Sequence, residues 1–122
     1  MAIIDVKELL ITTLKTAFEN YPVFLQGSMA QDAAYPSDFF TFWNNSTTDS
    51  AFYDNSETET IWNFDVNFYS NDPSHVNTVL VTAKAALKKA GFIIDGVGYD
   101  VISDEPTHTG RGMNVFFIQH LK

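Results

Sequence analysis

The sequence contains no cysteine, which removes disulfides, thiolate nucleophiles and cysteine-based zinc sites together and suits a reducing cytoplasm. No stretch approaches the roughly 18 consecutive apolar residues that a membrane-spanning helix needs. The N-terminus reaches an acid already at Asp5, too early for a basic segment followed by an apolar secretory leader. We therefore expect a soluble protein that makes no membrane contact.

Basic residues are scarce and unevenly placed. Arg111 is the only arginine, no lysine lies between Lys15 and Lys84, and the formal net charge is −8. The acids in that lysine-free interval are Glu19, Asp32, Asp38, Asp49, Asp54, Glu57, Glu59, Asp65 and Asp72. Binding to nucleic-acid phosphates requires clustered Lys and Arg, so we expect no nucleic-acid binding. Two interpretations of the acids stay open: a solvated surface, or a surface that faces another polyanion without holding it.

Two segments have the signals of helices. Asp5 with Glu8 forms a capping-box pattern, and the first helix is followed by Asn20 and Pro22. Its predicted buried stripe is Val6, Leu10, Leu14 and Ala17. The second helix has Asp72 as N-cap, Pro73 at the first position and Gly91 as its left-handed stop. Its predicted stripe is Val76, Val79, Leu80, Ala83, Leu87 and Ala90.

Strand signals fill most of the remaining chain. Residues 60–70 alternate strictly, with one apolar and one polar face, which indicates a sheet covered on one side. The other predicted strands are 23–25, 39–43, 92–94 continuing after Gly96 and Gly98 into 99–102, and 113–121. In the last strand residues 115–118 are all apolar, so we expect both of its faces to be covered. The polar residues 44–59 are interpreted as a long excursion between strands, with room for a short strand at its centre.

These elements predict one domain over residues 1–122 and the α+β class. Two helices pack on one face of a largely antiparallel or mixed sheet, in the order α-β-β-β-α-β-β. The predicted core is Leu10, Leu14, Trp62, Phe64, Val66, Phe68, Val79, Leu80, Ala83, Leu87, Val115 and Phe117.

No catalytic motif is present. The three histidines, His75, His108 and His120, have no helical ligand spacing. Asp104, Glu105 and His108 are close in sequence, but a single loop normally needs more ligands to hold a metal. We therefore predict no metal site, no cofactor and no enzymatic activity.

The segment 103–112 contains the only arginine and is longer than a tight hairpin requires. Two roles for Arg111 stay open. It forms a bidentate bond to Asp104 or Glu105 within the loop, or it reaches an acidic neighbouring subunit.

Five segments carry a resemblance to a known family. They are residues 35–45, 53–55, 62–73, 91–92 and 103–112, so the resemblance covers nearly the whole chain. Across them the chain resembles small tail-completion or tail-terminator proteins of phages and prophages with long, non-contractile tails.

The resemblance implies a virion protein of the tail or neck, made in the host bacterial cytoplasm. Its partners would be copies of itself in a ring, a hexamer in the family, the tail tube protein and head–tail connector proteins. The predicted interface residues are Trp43, Phe52, Tyr53, Asp104, Glu105, His108 and Arg111. The alternatives are another head–tail connector or stopper protein, or an unrelated small protein-binding module.

Overall fold

The computed structural model describes residues 5–19, 21–25, 36–53, 56–103 and 106–120, and for 49–53 and 56–58 it describes the backbone. The chain is α+β, with two helices and a five-stranded mixed sheet. The elements are α1 (Val6–Ala17), β1 (Val23–Leu25), β2 (Asp38–Tyr53), β3 (Ser56–Ser70), α2 (Pro73–Lys89), β4 (Ile93–Val101) and β5 (Thr109–His120).

The strands lie in the order β1-β2-β3-β5-β4. Only β1 and β2 are parallel, and β1 pairs with just residues 40–42 of β2. The described residues provide no strand partner for the outer edge of β2 beyond Phe42. Central strand β3 pairs with β2 on one side and with β5 on the other, so it is the strand around which the sheet is built.

Both helices begin where their capping residues predict, and α2 ends before its predicted glycine stop, whereas α1 ends already at Ala17, ahead of Asn20 and Pro22. Asp5 accepts a hydrogen bond from the backbone N–H of Glu8, and Asp72 accepts one from Ser74. Gly91 follows α2 with a φ of 105°, the left-handed conformation that ends a helix cheaply only at glycine. In α1 the prediction for Ala17 is wrong: Val6, Leu10 and Leu14 are buried, but Ala17 is exposed.

The helices cover one face of the sheet, and the core lies between them. Of the predicted core, Trp62 and Phe117 are half-buried and pack against its margin, while the others are buried. The core also contains Val6 and Val76 of the predicted helix stripes, and four residues that we did not predict: Phe40, Phe42, Phe92 and Met113. Phe40 packs on Phe68, with ring centroids 4.8 Å apart. The aromatic run of β2 therefore adds two rings to the core beside the residues of β3.

The prediction that residues 44–59 form a long excursion between strands is wrong for the described residues. Residues 44–53 continue β2, residues 56–59 begin β3, and the two pair as an antiparallel hairpin with register shifts after Asn44, Asp49 and Ala51. The helices do not cover this segment, so its sequence does not alternate between apolar and polar residues. Period two is therefore absent although the backbone is extended.

The last strand begins at Thr109, four residues earlier than predicted. Gly110 and Gly112 are strand residues, not turn residues, because side chains of β3 lie across them. A Cβ at Gly110 would stand 2.6 Å from the ring of Tyr69, and one at Gly112 would overlap the side-chain oxygen of Asn67. At these two positions glycine lets side chains of β3 lie close to the backbone of β5.

The expectation that both faces of the last strand are covered is also wrong. Val115 is buried under the helices, but Phe116 and Ile118 lie on the opposite face, where Ile118 is 38% exposed. On the neighbouring strand, the break predicted at the glycines is a register shift between Asp95 and Tyr99 inside a continuous β4.

Candidate functional site

The face of the sheet that the helices leave uncovered, here called the open face, is polar at its centre. By register it carries Asn63, Asp65 and Asn67 of β3 beside Asn114 of β5. Asn63 donates to Asn114 over 2.9 Å, and Asn114 donates to Asp65 over 3.0 Å. These bonds link side chains of two neighbouring strands, so the centre of the face is a connected polar surface.

Tyr99 closes this network from β4. Its hydroxyl donates to Asp65 over 3.2 Å. Burial, with the negative charge of Asp65 beside it, raises the pKa of Tyr99 to about 12. Beside the network, two buried oxygens on opposed residues, Oγ1 of Thr41 and Oδ1 of Asn67, have no hydrogen-bond partner within the described part of the chain.

Charge separates the two faces of the molecule. On the open face the described ionisable residues other than Tyr69 and Tyr99 are Glu59, Asp65, Asp95 and His120, with His108 at its end and no Lys or Arg among them. The described lysines all belong to the two helices, and Arg111 lies on the helix-covered face opposite Phe68. The lysine-free interval contributes Glu59 and Asp65 to the open face, whereas its Asp38 lies on the helix-covered face.

The predicted interface residues do not form one site. Trp43 is on the open face and 50% exposed, whereas Arg111 points to the helices. Phe52 and Tyr53 belong to β2 as backbone, and their side chains are outside the described part of the structure. Asp104 and Glu105 also lie outside the described residues.

His108 is held at the end of the open face. Its Nε2 donates to the carbonyl of Pro36 over 2.7 Å, so in the neutral ring Nδ1 accepts from Thr107 over 2.9 Å. The ring also packs on Phe39. With both nitrogens engaged, His108 acts as a tether between the segment before β5 and the start of β2.

Arg111 pairs with a residue that the sequence did not suggest. Its Nη1 donates to Oδ1 of Asp100 over 2.8 Å, across the β4–β5 pairing. Beside it, a cleft of about 300 Å³ lies between α2 and strands β4 and β5. We call this the Arg111 cleft; it is lined by Asn77, Leu80, Val81, Lys84, Ile94, Val97, Arg111 and Met113.

A four-residue hydrogen-bond chain, here called the polar clamp, was not predicted. Ser70 donates to Asp38 over 2.6 Å, His75 bonds the same carboxylate over 3.1 Å through Nδ1, and its Nε2 faces the hydroxyl of Tyr21 at 3.1 Å. It joins β2, β3 and α2 to the connection between α1 and β1 at one end of the sheet. The sequence contains no local signal for the polar clamp, because Asp38 and Ser70 become neighbours only through the β2–β3 register.

The polar clamp has the carboxylate–imidazole–hydroxyl order of a catalytic triad, with Tyr21 in the place of the hydroxyl. Burial and the charge of Asp38 raise the pKa of Tyr21. The described residues contain no group of three potential metal ligands. Nor does the described part of the chain include a helix that is long and apolar enough to cross a membrane.

Comparison with models of known protein families and with curated proteins yields no match to this chain. The resemblance to tail-terminator proteins therefore stays a prediction.

Proposed function

We propose that the chain is the subunit of a tail-terminator-like ring, which caps the tail tube of a long-tailed phage and joins it to the head. The observation that carries the proposal is the acidic open face, whose described charges include Glu59, Asp65 and Asp95 but no Lys or Arg. A wall that faces passing DNA should repel phosphates, because clustered cations would bind them.

Two further features support an assembling subunit. The β2–β3 hairpin continues past the end of β4, whose first residue Ile93 is level with Asn63 of β3. The seven residues of β3 beyond that level, 56–62, span about 23 Å at the usual rise per residue. An extension of this length, with an unpaired outer edge among its described residues, offers main-chain and side-chain groups to a neighbour.

The test uses a tail tube protein of a long-tailed phage, sought among the genes that neighbour the gene for this chain. Purified tube protein is polymerised with and without the chain, and negative-stain microscopy records tube length and the appearance of the tube ends. We expect shorter tubes that end in a ring. Tubes of unchanged length with bare ends would reject the proposal, and a ring that binds only portal or connector proteins would favour the connector alternative.

The charge distribution gives an independent test. The chain should bind neither duplex nor single-stranded DNA at physiological salt, as measured by fluorescence anisotropy. A variant with Asp65→Lys and Asp95→Lys should bind measurably, and a variant with Glu8→Lys and Glu19→Lys, which has the same net charge, should bind less. Salt-sensitive binding by the unmodified protein would contradict the proposed role of the open face.

A further inference from the structure

The Arg111 cleft combines apolar walls with two cations. Leu80 and Val81 of α2 form one wall, and Ile94, Val97 and Met113 of the sheet form the other. Lys84 and Arg111 supply the charge. A concave apolar site with a few convergent polar groups is the usual form of a binding site. The two cations of this cleft belong to a chain that is acidic as a whole, with a net charge of −8.

The strand bulge in β4 shapes the rim of the cleft. Gly96 and Gly98 have φ values of 77° and 99°, which favour glycine. Between them Val97 is 82% exposed although it is apolar. Lys84 donates to the carbonyl of Gly96 over 3.1 Å, and Nη2 of Arg111 is 3.5 Å from the carbonyl of Val97. These bonds hold the side chains of Lys84 and Arg111 against the β4 bulge at the rim of the cleft.

The two cations are incompletely satisfied. Among the described residues, the buried Nε of Arg111 has no hydrogen-bond partner. The acid that pairs with Arg111, Asp100, is 90% exposed, so water screens that pair. Lys84 donates to a neutral carbonyl, that of Gly96. An ammonium and a guanidinium together have more donors than these bonds use, so the cleft suits a carboxylate carried beside an apolar group.

The chain itself contains a segment in which carboxylates lie beside aromatic residues. The hairpin strands and their connection include Asp49, Phe52, Tyr53, Asp54 and Glu57, and no Lys or Arg. The hairpin extends past the end of β4, whereas the cleft lies beside β4 on the helix-covered face. Aromatic residues next to carboxylates complement apolar walls next to cations.

We infer that the β2–β3 hairpin of one copy inserts into the Arg111 cleft of a second copy, with its aromatic residues on the apolar walls and a carboxylate on Lys84 and Arg111. Hairpin and cleft are different surfaces, so the contact is head-to-tail and generates a ring or a filament. The contact deepens the ring proposed above and rests on it for its biological purpose.

Disulfide trapping tests this contact, because the chain has no cysteine of its own. A Val97→Cys chain is mixed with a Tyr53→Cys chain under mild oxidation, and the mixed dimer is followed over time on a non-reducing gel. The matched control replaces Val97→Cys with Ile102→Cys, since Ile102 is 94% exposed but does not line the cleft. We expect the Val97→Cys pair to form at least about tenfold faster, because specific docking raises the effective concentration of the two thiols.

A charge reversal tests the cations. Lys84→Glu in the Val97→Cys chain should slow trapping by about tenfold, because it sets like charges against each other at the contact. Lys88→Glu, one turn further along α2 and outside the cleft, should leave the rate within about twofold. Equal trapping at Val97 and Ile102, or equal effects of the two reversals, would overturn the inference.

The trapping result and the tube assay can fail separately. Tubes capped by a chain that shows no preferential trapping would leave the ring in place and assign the subunit contact to another surface. Preferential trapping by a chain that does not cap tubes would support self-association and reject the terminator function.

Discussion

The two faces of β3 divide the tasks of the molecule. On the helix-covered side Phe64, Val66 and Phe68 are fully buried, and they contribute through the removal of apolar surface from water. On the open side the polar network contributes a fixed array of amides and carboxylates. Successive residues of a strand point to opposite faces, so the same strand provides both the buried apolar side chains and the polar network. Substitutions on the two faces should therefore have separable effects.

The largest expected effect is on the helix-covered face. Phe64→Ala should lower the free energy of unfolding by about 3 to 5 kcal/mol, because it removes a buried ring and leaves a cavity. Trp43→Ala, on the open face and half exposed, should cost less than about 1 kcal/mol. Urea denaturation followed by circular dichroism measures both. A loss below about 1 kcal/mol for Phe64→Ala would mean that the faces are assigned backwards.

The next effect tests the close packing at the centre of the open face. Gly112→Ala should destabilise the protein by about 1 to 3 kcal/mol, because the added Cβ would overlap the side chain of Asn67. The same change in an Asn67→Ala background should cost clearly less, as measured by a double-mutant cycle of urea midpoints. Equal costs in both backgrounds would show that Asn67 is not the obstacle.

A polar residue on the helix-covered face provides the third comparison. Ser70→Ala should cost about 1 to 2 kcal/mol, because Asp38 loses a donor and the backbone N–H of Asp72 loses its acceptor. Ser74→Ala, which loses a hydroxyl bond at the exposed surface, should cost less than about 0.5 kcal/mol. Thermal melts of the two variants distinguish these values, and indistinguishable melts would refute a structural role for the polar clamp.

The smallest effect concerns protonation on the open face. The folded protein holds the phenolic proton of Tyr99 more tightly than the unfolded chain does, since its pKa is raised from 10.0 to about 12. This contribution to stability is fully present below about pH 10 and is lost as the pH rises toward 12. The pKa of Tyr21 is raised as well, so ultraviolet absorbance should show a late titration of both tyrosines, and Tyr99→Phe should reduce the late amplitude by one group. An undiminished late amplitude in Tyr99→Phe would place this group elsewhere.

The sequence predicts the helix-covered face better than the uncovered regions. Helix caps, helix stripes and the alternation of β3 are local signals, and they identified the helices and most of the core. Phe40 and Phe42 were not predicted as core residues, because the aromatic run of β2 includes residues of both faces, Phe39 among them. In such a run periodicity does not tell which residues face inward.

The uncovered regions were the hardest to predict. Residues 44–59 pair as strands without an apolar pattern, and Gly110 and Gly112 resemble turn residues although they lie in β5. Arg111 pairs with Asp100, eleven residues away, through a strand register that no local motif specifies. Each of these depends on contacts between strands that are distant in sequence, which is the information that a single sequence carries least.

The position of β5 has a consequence for synthesis of the chain. In the sheet β5 lies between β3 and β4, yet it follows both of them along the chain. While the ribosome makes the earlier elements, β3 keeps one unpaired edge and β4 has no neighbour, so a half-made sheet exposes edges of the kind that lead to aggregation. High contact order of this type also slows folding. The native sheet therefore cannot close until residues 109–120 join its two halves.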